Sequence, residues 1–168
     1  MAAALEIRDL VIEFGRPPLA VRAIDGVSLT VEEGTILGIV GESGAGKSTL
    51  GFAAGRLLPD GVRPTAGALE VLGREVWSLS QAALRDLRRG ALRYVFQDPI
   101  AALDPTMRVG TQLARAFAPA LTPGEVRAAL EAVGLTDSAR VAAAWPHQLS
   151  GGMAQREVIA LALIGQPR

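Results

Sequence analysis

The sequence feature that most constrains the fold is a glycine-rich stretch that follows an apolar run. The run is Thr35–Val40, and the stretch that follows it, Gly41–Thr49, reads Gly-Glu-Ser-Gly-Ala-Gly-Lys-Ser-Thr. The pattern G-x-x-x-x-G-K-[ST] between a strand and a helix is typical of a phosphate-binding P-loop. Glycines let backbone N–H groups converge on phosphate oxygens, and the helix start adds partial positive charge. We therefore predict a buried strand, a phosphate-binding loop and a helix that begins near Lys47.

The use of lysine supports this prediction. Of the 17 basic residues in the chain, Lys47 is the one lysine. A compact ammonium on a flexible stem can enter a tight cradle in which a planar guanidinium does not fit. We expect Lys47 to contact the β- and γ-phosphates and the Ser48 hydroxyl to bind Mg²⁺. The alternative is a glycine-rich turn with a solvated lysine, and the strand–loop–helix context argues against it.

Composition narrows the classes of function. The 168 residues suffice for one domain with a core, and a formal net charge of zero argues against a nucleic acid held by bulk charge. There is no cysteine for a disulfide or a thiolate metal site, no signal peptide pattern and no bilayer-spanning apolar run, so we expect a soluble cytosolic protein. Apolar residues make up 49% and mean hydropathy is +0.30, so we expect that a partner covers some surface or that part of the fold is absent.

Two apolar/polar alternations precede the loop. They predict strands over residues 4–14 and 21–31, paired as an antiparallel hairpin, with a kink or bulge at Asp25-Gly26. Phe14 ends the first strand beside a glycine loop. Its ring is either a core side chain or a platform for an adenine ring, and the sequence leaves both open.

After the loop the pattern remains mixed. It predicts a helix over 47–58, a strand over 67–72, a helix over 81–89 capped by Ser80, and a short buried strand over 92–96. Gln97 follows that last strand, at the kind of polar strand end where open α/β sheets place ligands.

The second half of the chain predicts helices. Residues 100–145 are alanine-rich, and Thr122–Glu125 has the residues of a capping box for a helix to about Val133, followed by a second helix near 137–144. Ser150 then caps a helix that two glycines open, which gives a second anion site. Gly165 and Pro167 form a helix stop signal, and His147 is interpreted as an ordinary loop residue.

Together these residues resemble the ATP-binding subunit of an ABC transporter over nearly the whole chain. Gly41–Thr49 is similar to the family's Walker A loop, Gln97 to its Q-loop and Leu149–Met153 to its signature motif. The resemblance assigns ATP binding to Phe14, Gly41, Glu42, Ser43, Gly44, Ala45, Gly46, Lys47, Ser48 and Thr49. It assigns contact with the ATP of a partner subunit to Leu149, Ser150, Gly151, Gly152 and Met153, and Mg²⁺ binding to Ser48 and Gln97.

A finer resemblance is to the importers of dipeptides, oligopeptides and nickel. It lies in Val21–Ser28, in Tyr94–Pro99, in Leu103–Pro105, and in a methionine at the fifth signature position, Met153. By this resemblance the cargo is a peptide or nickel. The sequence does not choose between them, because other subunits select the cargo.

The resemblance implies an α/β fold: a P-loop NTPase core with an antiparallel β-subdomain and an α-helical insert over about residues 101–145. It implies ATP and Mg²⁺ as cofactors, and a second ATP-binding subunit, identical or homologous, that faces this one across two ATP molecules. Two membrane-spanning permease subunits would contact the Q-loop and insert, an extracytoplasmic solute-binding protein would act indirectly, and no nucleic acid would bind. The expected location is the cytoplasmic face of the cell membrane.

The chain departs from the family pattern after the signature. Family members continue with a strand that carries an Mg²⁺-ordering Asp and a catalytic Glu, and later with a switch His. Residues 158–164 contain no carboxylate, and His147 precedes the signature. The expectation is therefore an incomplete C-terminus, with ATP binding favoured over turnover and no catalytic residue in this chain.

Two rival functions remain. A P-loop kinase of small molecules would show a mobile arginine-rich lid and no second glycine-opened helix, so Leu149–Met153 argues against it. An ABC protein that acts on DNA or ribosomes without transport would usually show tandem domains or a basic face, and the sequence shows neither.

Overall fold

The computed structural model describes residues 3–15, 18–117, 119–164 and 166–167. These residues divide into two compact units, one that ends at Arg88 and one that runs from Arg89 to Pro167. The architecture is mixed α/β. Among the described residues no helix combines the length and the hydropathy needed to cross a membrane.

The first unit contains a four-stranded antiparallel sheet. Its strands are β1 (Ala3–Phe14), β2 (Val21–Glu32), β3 (Pro64–Val71) and β4 (Arg74–Glu75), in the order β2-β1-β3-β4. The predicted hairpin and the predicted strand over 67–72 are thus confirmed. In the β1–β2 ladder the register shifts where Leu10 faces Val27 and Ile12 faces Ile24, which confirms the irregularity predicted at Asp25-Gly26.

Two predicted strands are wrong. Residues 35–40 form no strand, and Ile36 and Val40 are fully exposed instead of buried. Residues 92–96 also lie outside any strand, with Val95 and Phe96 exposed. A strand persists only when a neighbour pairs with its backbone, and the described strands pair with one another and with neither segment.

The helices of the first unit begin where the sequence predicts. Helix α1 covers Lys47–Ala54, and it ends earlier than predicted because Gly55 caps it and Arg56 follows at φ 53°, outside the helical region. A 3₁₀ helix (Val76–Ser78) precedes α2 (Gln81–Gly90). The predicted cap of α2 is confirmed, since the Ala83 N–H donates to Ser80 Oγ at 3.2 Å.

The second unit is helical. It contains α3 (Val109–Arg115), α4 (Pro123–Ala132), α5 (Ser138–Ala143), a 3₁₀ helix (Pro146–Gln148) and α6 (Gly151–Leu163). The capping box is confirmed, because Glu125 N donates to Thr122 Oγ1 and Thr122 N donates to the Glu125 carboxylate. Gly165, half of the predicted stop signal, lies outside the described residues.

One apolar cluster joins these helices. Its buried members include Val109 and Leu113 of α3, Leu130 of α4, Val141 of α5 and Val158 of α6. Each of the helices α3, α4, α5 and α6 therefore contributes apolar side chains to the same core, which explains why short helices are stable here.

A buried glutamine fixes the turn before α3. The Gln112 amide donates to the carbonyls of Asp104, at 3.0 Å, and of Met107, at 3.1 Å, and its Oε1 accepts from the Asp104 N–H at 2.9 Å. These three bonds satisfy a polar side chain that is 9% exposed. The turn over residues 104–107 is thus tied to α3.

Candidate functional site

The glycine loop reaches α1 through a residue that has to be glycine. Gly46 is the N-cap of α1 with φ 84° and ψ 0°, a left-handed conformation. A Cβ at this position would lie 2.4 Å from the Ala23 carbonyl oxygen and 3.0 Å from Ile24 Cδ1. A residue with a Cβ atom does not fit there, because the end of the loop lies in close contact with the backbone of β2.

The Lys47 ammonium lies inside the loop that precedes it. Its Nζ donates to the Gly41 carbonyl at 2.9 Å and to the Glu42 carbonyl at 2.6 Å. The loop also closes on itself, since Ala45 N donates to Glu42 O at 3.2 Å. Lys47 forms no ion pair with any of the described carboxylates. The neutral carbonyls orient the ammonium and leave its charge uncompensated.

These features suit a phosphate. The loop residues 41–45 are exposed, and the N-terminus of α1 adds N–H groups and partial positive charge to the ammonium of Lys47. Ser48 is exposed in the first turn and offers a hydroxyl oxygen, while Thr49 is half-buried. Apart from the exposed carboxylate of Glu42, the groups present are hydrogen-bond donors and one cation, which suits the phosphates of a nucleoside triphosphate.

The donor set for Mg²⁺ is small. Among the described residues no group of three or more His, Cys, Asp or Glu side chains could hold a metal. The predicted ligands, the Ser48 hydroxyl and the Gln97 amide oxygen, are both hard oxygen donors. Each is a donor of the kind that Mg²⁺ takes, since this ion usually has few protein ligands and binds substrate phosphates and water with the rest. Gln97 belongs to the second unit, in a bend after residues 92–96.

Phe14 is the last residue of β1, paired with Val21 of β2 and half-buried. This position is compatible with either of its two predicted roles, so stacking on an adenine ring stays a prediction. His147 lies exposed in the 3₁₀ helix.

The second predicted anion site opens α6. Ser150 is its N-cap, and its Oγ accepts from the Met153 N–H at 3.3 Å, as predicted for a capping serine. Gly151 and Gly152 are exposed, and a Cβ built on either would meet nothing within 4 Å. Leu149 is buried in the core. Packing among the described residues thus accounts for Leu149 and Ser150 but gives no reason for the two glycines.

A residue that the sequence reasoning missed lies further along α6. Glu157 is 0% exposed, and neither carboxylate oxygen has a hydrogen-bond partner among the described residues. Burial raises the pKa of Glu157 from its ordinary value of 4.5 to about 7. The signal was present, since Glu157 interrupts an apolar helix and faces the core with Ala154 and Val158.

A glycine loop that leads into a helix, with a lysine ammonium at its centre, defines the class of P-loop nucleotide-binding proteins. Residues 24–168 match the family described as ABC transporter. The chain belongs to the ABC transporter family.

Named relatives agree with this family. The oligopeptide transport ATP-binding protein OppD of Salmonella typhimurium is 38% identical over 170 residues, which are 98% of this chain and 50% of that protein. OppD of Mycobacterium tuberculosis is 37% identical over 174 residues, with 99% and 28% covered. The chain thus spans 50% of the length of the Salmonella protein and 28% of the length of the Mycobacterium protein.

The fold is shared with solved cassettes. A dimeric structure of the ATP-binding cassette MJ0796, in a post-hydrolysis state bound to ADP and Pi, superposes with a TM-score of 0.82 at 28% identity. The superposition covers 97% of this chain and 70% of that one. The likeness supports a P-loop NTPase core as the fold of this chain.

Proposed function

We propose that this chain binds Mg-ATP as part of the ATP-hydrolysing subunit that energises peptide import through an ABC transporter. The observation that carries the proposal is the Lys47 ammonium, which the carbonyls of Gly41 and Glu42 hold at the mouth of a helix N-terminus. Family membership supports ATP as the nucleotide. The names of the relatives, which are oligopeptide transport proteins, support a peptide as cargo. Nickel, the other cargo of the resemblance, has no comparable support.

Each residue of the proposed site has a distinct task. The N–H groups of the loop Gly41–Gly46 would surround the phosphates, and Lys47 would exchange its carbonyl partners for β- and γ-phosphate oxygens. Ser48 and Gln97 would hold Mg²⁺, which neutralises phosphate charge when bound. Phe14 would stack on the adenine ring, as an aromatic side chain at the end of a strand can.

The assembly is also part of the proposal. Ser150, Gly151 and Gly152 would contact the γ-phosphate held by a second ATP-binding subunit, identical or homologous. The two glycines without steric neighbours support this, because a bare backbone lets an anion approach the N–H groups. The helical insert, at about residues 101–145, and the Q-loop would face two permease subunits at the cytoplasmic side of the membrane, with a solute-binding protein acting outside.

Titration with a fluorescent ATP analogue tests the nucleotide site. Lys47→Ala should weaken binding about 10- to 100-fold, since a hydrogen bond to a charged group contributes about 1.5–3 kcal/mol. Lys47→Arg should weaken it comparably, because the guanidinium does not fit the loop. Arg85→Ala, an exposed change on α2, is the control and should bind normally. Native affinity in both Lys47 variants would refute the site. Phosphate release from the 168-residue chain, measured in parallel, tests whether binding occurs without turnover.

Site-directed cross-linking tests the partner surface. A cysteine at Ala101, exposed in the turn after Pro99, should cross-link to a permease subunit in the assembled transporter. A cysteine at Ala82, exposed on α2 in the first unit, is the matched control and should not. Equal cross-linking from both positions, or capture of soluble proteins alone from Ala101, would contradict the assigned surface.

A further inference from the structure

We propose that the first unit holds an anion-binding site besides the Walker A loop, at the opposite end of α1. It is separate from the predicted anion site at the start of α6. The site is a cavity of about 320 Å³ between the segment that follows α1, the 3₁₀ helix at Trp77 and helix α2. The glycine loop lies at the N-terminus of α1, whereas the cavity lies beyond its C-terminus. At 1.5 Å per residue this helix separates them by about 12 Å. The cavity is therefore distinct from the nucleotide site, and an anion could bind there whether or not ATP binds to the glycine loop.

Charge is the first observation. Three arginines, Arg56, Arg63 and Arg88, line the cavity, and Asp60 is the one carboxylate among its described lining residues. None of the three arginines forms an ion pair with a described carboxylate. The cavity walls thus carry more positive than negative charge, and clustered like charges destabilise the fold unless an anion compensates them.

The three arginines are held differently. Arg88 is structural: its Nε and Nη2 donate to the Gly55 carbonyl at 2.8 and 2.6 Å, and Nη2 also donates to Arg56 O at 2.9 Å. These carbonyls end α1 and partly offset the Arg88 charge. Arg56 donates to the neutral Leu79 carbonyl at 2.8 Å, so its charge remains. Arg63 is exposed and makes no side-chain hydrogen bond to the described residues, which leaves its whole guanidinium fork available to a ligand.

An unsatisfied donor is the second, independent observation. Trp77 lines the same cavity, and its Nε1–H is buried with no hydrogen-bond partner among the described residues. The Arg56 guanidinium lies over the Trp77 ring, 5.8 Å from its centroid, and this cation–π contact helps to hold the ring in the cavity wall. A buried N–H without an acceptor is unfavourable. Nε1 itself is closed to solvent, so an oxygen atom of a ligand can reach it only if the cavity wall around it adjusts.

These groups define the ligand by its chemistry. Guanidinium and indole N–H groups donate and cannot accept, so the ligand has to supply several acceptor oxygens and negative charge. A volume of about 320 Å³ is at the lower end for small-molecule sites. The ligand class is therefore a small oxyanion, such as a phosphate ester. A bidentate oxyanion on Arg63 accounts for the guanidinium left unpaired, and it would lie in the cavity that Trp77 lines.

Tryptophan fluorescence tests this site. The chain has two tryptophans, so Trp145→Phe leaves Trp77 as the one reporter. Lys47→Ala in the same protein removes the cation of the glycine loop. Inorganic phosphate, titrated at constant ionic strength against chloride, should produce a saturable change in Trp77 emission. Citrate in a parallel titration distinguishes a preference for phosphate from a preference for carboxylate, and saturation by either supports an oxyanion site.

Matched variants complete the test. Arg63→Gln should weaken the midpoint of the titration at least tenfold, because it removes a charged hydrogen-bonding group that has no role in the fold. Arg85→Gln, an exposed arginine of α2 that does not line the cavity, should leave the midpoint unchanged. The melting temperature of the unmodified chain should rise with phosphate, and by less in Arg63→Gln. A linear, non-saturating response, or equal loss in both variants, would overturn the proposal.

Discussion

Glycines lie at the N-termini of both α1 and α6, but they differ in what surrounds them. At α1, Gly46 is left-handed and its Cα faces the Ala23 carbonyl so closely that a methyl group has no room. At α6, Ser150 caps the helix with its side chain, and Gly151 and Gly152 face open space. The fold requires the first glycine. The two glycines of α6 weaken the helix, and nothing among the described residues packs where their Cβ atoms would lie, which agrees with the proposed contact from a second subunit.

The largest expected effect tests whether the close contact with Ala23 is what requires a glycine at position 46. Gly46→Ala should destabilise the chain by roughly 4 kcal/mol or more, in the range that marks strain and overpacking. Gly44→Ala is the matched control, because Gly44 has the same φ of 84° but nothing within 4 Å of its Cβ position. It should cost only about 1–2 kcal/mol, the penalty of the left-handed conformation itself. Equal losses in denaturant unfolding would show that contact with β2 is not the reason for Gly46.

The second effect comes from the buried carboxylate that α6 carries. Because the pKa of Glu157 rises from 4.5 unfolded to about 7 folded, the native state binds more protons than the unfolded state between these values. Stability is therefore intact below pH 4.5 and falls as the pH rises through about 7, by on the order of 3 kcal/mol.

Glu157→Gln measures this penalty directly. The variant should be more stable than the parent by roughly 3 kcal/mol at pH 8 and by less than about 1 kcal/mol at pH 5, since the neutral amide mimics the protonated carboxyl. Urea unfolding of both proteins at the two pH values gives the difference. A parent that is as stable as the variant at pH 8 would mean that Glu157 finds a partner there.

The third effect tests the side-chain cap of α6. Ser150→Ala should lower the free energy of unfolding by about 1 kcal/mol, because the Met153 N–H loses its side-chain acceptor and keeps only the Ser150 carbonyl, at 3.0 Å. Ser150→Asp, which keeps an acceptor oxygen and adds a charge that favours a helix N-terminus, should restore the loss. Thermal melts of the two variants measure the change in stability. A loss of stability in Ser150→Asp equal to that in Ser150→Ala would rule out capping as the role of Ser150.

The smallest effect has the opposite sign. Gly152→Ala should stabilise the chain by about 0.5–1 kcal/mol, because alanine favours a helix and has room there. By the proposed function the same change should impair ATP-dependent pairing of two subunits, measured by size-exclusion chromatography with ATP. Gly51→Ala, at an exposed glycine within α1, offers the same helix gain without touching α6. If Gly152→Ala pairs with ATP as well as the parent does, Gly152 does not contact ATP in the paired subunits.

Local features of the fold were predictable from the sequence. The capping box at Thr122, the N-cap at Ser150 and the β1–β2 hairpin each depend on residues close in sequence, and each is confirmed. The strands over 35–40 and 92–96 were not, because hydrophobicity indicates that a segment prefers burial but does not supply its pairing partner.

The site shows the same division. A motif of nine residues predicted the loop and the lysine inside it, since all the residues that form this part of the site are consecutive in the sequence. The contact of Gly46 with Ala23 and the burial of Glu157 depend on residues far apart in the chain. Periodicity gives no distance between such residues, so the sequence could not reveal the Gly46 contact. For Glu157, the helical spacing that it shares with Ala154 and Val158 was a signal, but it could not show that the carboxylate has no hydrogen-bond partner among the described residues.

The hydrogen bonds of Gln112 have a mechanical consequence. Three hydrogen bonds in a buried place join the turn over 104–107 to α3, so the turn cannot move away from the helix without breaking them. The turn and the helix should therefore resist separation more strongly than apolar contacts alone would allow. Gln112→Ala would remove these bonds and leave α3 with its apolar contacts only.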